Sequence, residues 1–260
     1  MRRALDVARS VFSVFLVILF FVFPGTPALY LVAYPLIWLR PERKRVHVSW
    51  FMKMVSWGIL SGFRVGGARY QRKGRIPTGD GGALIIMNHQ SQLDICTATL
   101  LGDPYVPTFV PRALYARGIP LVSAAIRLLE CPVVDPRRDP EAAVEALRAA
   151  ALRERHGLLI YPEGHRTTSG DLRPFRTAGL RAILEARRMP VYLVVTDGFW
   201  AGRRFSDFLA NVPHVRGRTE VLGPFEPPPR DEDIDAAIEG WQLTMKESLA
   251  RMRQPEAARA

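Results

Sequence analysis

From Val11 to Leu39 the chain carries no charged residue, a run of 29 positions reading VFSVFLVILFFVFPGTPALYLVAYPLIWL. As one straight helix it would extend about 43 Å, longer than the roughly 30 Å hydrocarbon core of a bilayer. Pro24 and Pro27, in PGTP, are expected to end or sharply bend that helix, because proline lacks the N–H and its ring meets a carbonyl one turn back. The piece before them would reach only about 20 Å, short of a crossing. Arg2, Arg3 and Arg9 precede the run, and Arg40, Arg43, Lys44 and Arg45 follow it. Positive charge on both sides does not fit a simple single span. The pattern therefore predicts a helical hairpin that dips into one leaflet and returns to the cytoplasmic face. A cleaved signal peptide is the competing reading, with TPA near Ala28 as its cleavage site. The apolar character that resumes after Ala28 speaks against it. His47 to Val65 mixes Trp50, Phe51, Met54, Trp57, Ile59 and Leu60 with few charges. It reads as an interfacial helix or as a buried core helix, and the sequence does not separate the two.

Beyond about residue 66 the pattern changes to short apolar runs alternating with helical segments. ALIIM (83–87), LLIY (158–161) and PVYLVV (190–195) read as buried strands. DPEAAVEALRAAALRERHG offers Asp139 as cap, Pro140 in the first turn and Gly157 as stop, and TAGLRAILEARR (177–188) reads as a further helix. From Asp231 to Met252, Ile234, Ile238, Trp241 and Met245 recur at helical spacing and predict a buried stripe. The alternation argues an α/β class, a mixed sheet flanked by helices. Two units are expected, residues 1–65 as membrane hairpin and interfacial helix and 66–260 as the catalytic domain. The tail PEAARA is expected to be disordered.

Composition adds one constraint. Lys and Arg number 36 against 25 acidic residues, a net charge of +11. That favours an anionic partner: nucleic acid, a membrane surface or a phosphorylated substrate. The basic residues are spread along the chain and accompany the apolar segment, which fits lipid headgroups better than nucleic acid. Arg203 and Arg204, beside Phe199 and Trp200, suit either that surface or the phosphates of coenzyme A, with a solvated basic face as the plain alternative. Cys96 and Cys131 have no metal-ligand spacing and read as buried small hydrophobes in a reducing compartment.

Two constellations carry candidate chemistry. In GGALIIMNHQSQLDI a strand delivers Asn88 and His89 to its carboxyl end, where α/β sheets present groups to a crevice. A neutral imidazole there takes a proton from a hydroxyl if its other nitrogen is oriented, and Asp94 is within reach to orient it. The same residues also read as a capping box, Ser91 with Asp94. In LLIYPEGHRTTSGDLRPF a second strand enters a polar turn holding Glu163, Gly164, His165 and Arg166. An ordinary strand-to-helix turn with a surface Glu–Arg pair would look the same. No nucleophile elbow is present, and Glu163, His165 and His89 have no recognised metal spacing.

Together NHQSQLD and YPEGHR resemble the first and third motifs of the glycerolipid acyltransferase family, which includes the 1-acylglycerol-3-phosphate acyltransferases. The resemblance covers roughly residues 80 to 200. It implies a glycerol-3-phosphate acyltransferase-like fold, with His89 as general base and Asp94 orienting it. Asn88, Arg112, Glu163, Gly164 and Arg166 are implied as substrate-binding residues. The implied reaction moves an acyl group from acyl-CoA or acyl carrier protein to the hydroxyl of lysophosphatidate or a related lyso-lipid, on membrane lipids at the inner face of the plasma membrane. It implies no cofactor, no metal and no nucleic-acid partner. A non-catalytic membrane scaffold is what remains if the His/Asp pair is only a cap. The family's Lys-x-Glu-Leu element is missing: Pro111 and Ala113 stand at the lysine and glutamate positions, with Arg112 between. Pro136 stands at the second motif's arginine, with Arg137 one place later. His165 replaces a threonine, and Leu193 the second proline of the fourth motif.

Overall fold

Residues 2–39 form one continuous helical run rather than two halves. In the computed structural model, which describes residues 2–254, helix α1 (Arg2–Phe20) passes through two π-helical stretches, Phe21–Gly25 and Ala28–Ala33, into α2 (Tyr34–Leu39). The tail expected to be disordered, residues 255–260, lies outside the described residues. A π-turn spaces its hydrogen bonds one residue wider, which admits the proline rings without a clash and leaves fewer bonds to lose. Thr26 N–H bonds to the Phe21 carbonyl, and the Thr26 hydroxyl donates to the same oxygen at 2.8 Å. PGTP therefore does not reverse the chain. The reversal comes at Arg40–Arg43, where Arg40 leaves the helical region and Pro41–Arg43 form a 3-10 turn.

Helix α3 (Lys44–Val65) then returns along the first run. Ser13 lies against Gly66, Val17 against Gly62 and Phe20 against Gly58, while Leu29 and Ala33 share a cluster with Phe51 and Val55. Each step up α1 is matched by a step of about one turn back along α3, so the pair is an antiparallel hairpin. Glycine lets the two helices approach: a Cβ on Gly58 would sit 2.2 Å from the Phe20 ring and one on Gly62 2.7 Å from Val17 Cγ2. The 38-residue run is long and apolar enough to cross a membrane, and only 22% of its most apolar window is buried within the protein. Phe12, Phe15, Leu31 and Trp38 are exposed along it, joined by Trp50 and Trp57 of α3. The opposite face of α3 buries Val48, Phe51, Val55, Leu60 and Phe63. The segment thus buries one face in the core and leaves the two tryptophans exposed on the other. Arg45 is not a flanking charge: it turns inward to the Val106 carbonyl at 2.7 Å, the Thr108 hydroxyl at 3.1 Å and Glu154 at 3.6 Å.

The sheet has six strands: β1 (Arg69–Lys73), β3 (Leu84–Met87), β5 (Thr108–Phe109), β6 (Leu158–Ile160), β7 (Val191–Asp197) and β8 (Arg216–Phe225), with β2 (Ile76–Pro77) and β4 (Gly102–Asp103) paired apart. Their order is β1-β8-β7-β3-β6-β5, parallel throughout except for the antiparallel pair β7/β8. Alternate side chains of each strand leave opposite faces. Leu84, Ile86, Leu158, Ile160 and Leu193 pack with α6 (Pro140–Arg153), α7 (Thr177–Ala186) and α8 (Ile234–Arg253). Ile85, Met87, Leu159 and Val194 pack on the other face with α3, α4 (Leu93–Leu101) and the end of α5 (Pro120–Leu128). This is a three-layer mixed α/β fold with helices on both sides of the sheet.

The expected cap is in place, with the Asp139 carboxylate accepting from Ala142 N–H at 2.9 Å. So is the stripe of Ile234, Ile238, Trp241 and Met245, all buried. Cys96 is buried and Cys131 half-buried, both free, and burial pushes each thiol up to about 12.

Candidate active site

Strand β3 lies at the switch point of the sheet, with β6 on one flank and β7 on the other. Ligand crevices form outside the carboxyl ends of strands at such a point. His89 stands just beyond that end of β3. Its Nδ1 is 2.9 Å from Asp94 Oδ2, and its ring stacks on Tyr161 at 4.2 Å between centroids. The same Asp94 oxygen accepts the backbone N–H groups of Gln90 at 2.6 Å and Ser91 at 2.8 Å. Asp94 is wholly buried in the first turn of α4. It therefore braces the turn, as the capping-box reading requires, and also fixes the imidazole. With Nδ1–H given to the carboxylate, Nε2 is left as the acceptor, which is what a general base needs.

The turn after β6 carries the second constellation. Glu163 is buried, and its two oxygens accept the N–H groups of His89 at 2.6 Å and Arg173 at 2.8 Å. Burial pushes its carboxyl up to about 7, with the two amide bonds working in the opposite direction. Gly164 has φ +68°, which favours glycine, and the Arg176 side chain lies close beside it, Nε 3.1 Å from where a Cβ would stand. His165 Nε2 lies 2.9 Å from an Arg137 nitrogen. Burial lowers the proton affinity of His165, and the neighbouring charges of Arg176, Arg137, Arg112 and Arg173 lower it further. None of these four arginines forms an ion pair among the described residues. A concentrated, unneutralised positive field thus sits on the β6 flank of His89.

Comparison with known proteins agrees with this geometry. A family model described as Acyltransferase matches residues 63–196. The chain is 30% identical over 198 residues to a lyso-ornithine lipid O-acyltransferase of Rhodobacter capsulatus, covering 66% of this chain and 68% of that protein. It is 29% identical over 127 residues to a 1-acyl-sn-glycerol-3-phosphate acyltransferase of Cocos nucifera, covering 48% of this chain and 40% of that one. The solved structure of the 1-acyl-sn-glycerophosphate acyltransferase PlsC from Thermotoga maritima superposes with a TM-score of 0.71 over 98% of this chain and 99% of its own, at 18% identity. The chain belongs to the acyltransferase family.

Within this acyltransferase the residues expected at the site divide. His89 and Asp94 are brought together, and Arg112 is half-buried beside His165 with its backbone bridged to Val134. Asn88 does not face the substrate crevice. Its amide donates to the Thr196 carbonyl at 2.9 Å and its oxygen accepts the Thr196 N–H at 2.7 Å, stitching β3 to β7. Adjacent residues of an extended strand point opposite ways, so His89 and Asn88 serve different surroundings. Both Glu163 oxygens are committed to the backbone amides of His89 and Arg173, so in this structure it ties those two segments together. Gly164 acts by making room for Arg176. Arg166 turns to the β7 flank, where its guanidinium donates to the Arg203 carbonyl at 2.5 Å.

Arg173 and Arg176 are the residues that sequence reasoning missed. They sit in RPFR, spaced three apart just past the third motif, and the Glu163 bond to Arg173 N–H folds that segment back over the turn. Arg137 also recovers its place. Shifted by one residue from the family position, it meets His165, which stands where the family has threonine. The two departures are paired in space.

Proposed function

We propose that this enzyme acylates lysophosphatidate, yielding phosphatidate at the cytoplasmic face of the inner membrane. His89 Nε2 removes the proton of the acceptor hydroxyl, and the hydroxyl oxygen attacks the thioester carbonyl directly. The tetrahedral adduct collapses with cleavage of the carbon–sulfur bond, and the leaving thiolate takes up a proton. Asp94 holds the imidazole and stabilises its charged form. The donor is an acyl thioester of coenzyme A or of acyl carrier protein.

The observation that carries the choice of acceptor is that Arg112, Arg137, Arg173 and Arg176 all act electrostatically on His165, Arg137 in direct contact, and none is paired to a carboxylate among the described residues. A guanidinium fork matches a phosphate in shape and charge. The apolar outer face of the hairpin supports work at a membrane, where the lyso-lipid resides. A second reading, a lyso-aminolipid acceptor, is favoured by the similarity to the Rhodobacter enzyme. An ornithine headgroup carries a carboxylate that the same guanidinium groups can bind, so the two readings are separated by the acceptor panel.

The test is thiol release from acyl-CoA with lysophosphatidate, lyso-ornithine lipid and lysophosphatidylcholine, for wild type, His89→Ala and Arg137→Ala/Arg173→Ala. Lysophosphatidate as best acceptor, no turnover by His89→Ala, and a KM for lysophosphatidate raised about tenfold or more by the double variant are expected. Preference for lyso-ornithine lipid, unaltered by the double variant, would refute the choice of acceptor. Full activity in His89→Ala would refute the chemistry.

A further inference from the structure

Two substrates must meet at His89, and the arginine cluster takes only the β6 flank. On the other flank the chain leaves β7 and runs from Gly198 to Arg204 over the catalytic loop, which holds it by side chains. Gln90 Oε1 accepts the Phe199 N–H at 3.1 Å, Ser91 Oγ donates to the Gly202 carbonyl at 2.5 Å, and Arg166 donates to the Arg203 carbonyl. These bonds fix the backbone; Phe199 is buried against Tyr70, while Trp200 and Arg204 are exposed and Arg203 is half-buried. The loop rims a cavity of about 340 Å³, lined by Thr168, Trp200, Arg203, Asp207, Asn211 and His214. Thr168 follows Thr167, whose N–H donates to the His89 carbonyl at 2.8 Å, so the cavity opens next to the catalytic loop.

Its chemistry is that of a nucleotide site. Trp200 is 45% exposed and offers an indole face. Arg203, on the rim, and Arg204, beside it, form no ion pair among the described residues. The Asp207 carboxylate of the lining accepts the Arg204 N–H at 2.7 Å through one oxygen and keeps its charge, so two guanidinium groups stand against one carboxylate. An aromatic plane next to unpaired guanidinium groups suits a purine carrying phosphates. The volume lies in the range of small-molecule sites. A carrier protein would instead need a broad face of about 800 Å².

We propose that this cavity receives the 3′-phosphoadenosine end of acyl-CoA, so that donor and acceptor approach His89 from opposite flanks of β3. The assignment rests on the acyl-transfer reading. Three donors, acyl-CoA, acyl-pantetheine and acyl carrier protein, and one probe, adenosine 3′,5′-bisphosphate, test it. The bisphosphate is expected to compete with acyl-CoA and not with the lyso-lipid. Arg203→Glu and Trp200→Ala are each expected to raise the KM for acyl-CoA about tenfold while leaving the KM values for acyl-pantetheine and the lyso-lipid unchanged. Should Arg203→Glu fail to fold, Arg204→Glu and the wild-type competition still decide. A bisphosphate that does not inhibit, or variants that raise the acyl-pantetheine or lyso-lipid KM equally, would overturn the assignment. So would a strong preference for acyl carrier protein lost in Arg203→Glu. If wild type releases no thiol from any donor, the acyl-transfer reading fails, and equilibrium dialysis of the bisphosphate against wild type and Arg203→Glu still reads the cavity: equal retention by both would overturn it.

Discussion

Replacing Asp94 by Asn separates the two tasks of that carboxylate. The amide oxygen can take the place of Oδ2 and still accept from His89 Nδ1 and from the Gln90 and Ser91 amides. What disappears is the charge. Opposite unit charges about 4 Å apart attract by about 4 kcal/mol at an effective dielectric near 20. A neutral acceptor keeps roughly half of a charge-assisted bond, so about 2 kcal/mol of imidazolium stabilisation is lost in the transition state. That corresponds to a fall in kcat of about 30-fold, with KM nearly unchanged. The new amide NH₂ would replace Oδ1, which is buried and has no hydrogen-bond partner. An unsatisfied buried donor costs about 1–3 kcal/mol in stability. Steady-state kinetics and thermal melting on the same preparation read both effects. A variant that melts earlier but keeps kcat within about threefold of wild type would refute the orienting role and leave Asp94 as a brace for the turn.

Three further outcomes are expected. The folded carboxyl of Glu163 holds its proton up to about 7 against an ordinary 4.5, so the folded protein binds more protons than the unfolded chain between those values. Its contribution to stability is greatest below the ordinary value and falls by about 3 kcal/mol as pH rises to 7, then stays level. The melting-temperature difference between wild type and Glu163→Gln, followed from pH 4.5 to 8, checks this, and a pH-independent difference would rule it out. Gly62→Val places a methyl on the Val17 side chain and is expected to lower stability by about 1–3 kcal/mol in a detergent-based melt, whereas an unchanged melt would mean that the two helices separate freely. Replacing exposed Phe23, Leu31 and Trp38 together by Ser is expected to abolish flotation with anionic phospholipid vesicles while the melt holds, and undiminished flotation would place the membrane contact elsewhere.

The buried middle of the sheet was legible because β3, β6 and β7 are covered on both faces, so their sequences are apolar throughout. Strand β1, RYQRK, has almost no apolar residue because it is an exposed edge paired only with β8. Such a strand leaves no mark in a hydrophobic pattern. The chain reversal was misplaced for a different reason. Proline is incompatible with α-helical spacing, but the π-turns change the spacing instead of ending the helix. At the site, His89 and Asp94 were readable from spacing because a single turn joins them. The arginine cluster was not, since Arg112, Arg137, Arg173 and Arg176 come from three separate connections that only the sheet order brings together.

The hairpin also sets a height. Helix α3 carries the exposed tryptophans on one face and packs on α4 with the other, and the Ser56 side chain hydrogen-bonds to Cys96, two residues beyond Asp94. The bracing of the catalytic base and the greasy face thus belong to one stiff strut with no hinge between them. Seated in a leaflet by that face, the strut would hold the histidine at one height above it. On the proposed function, a lyso-lipid acceptor would then have to rise from the leaflet to meet it.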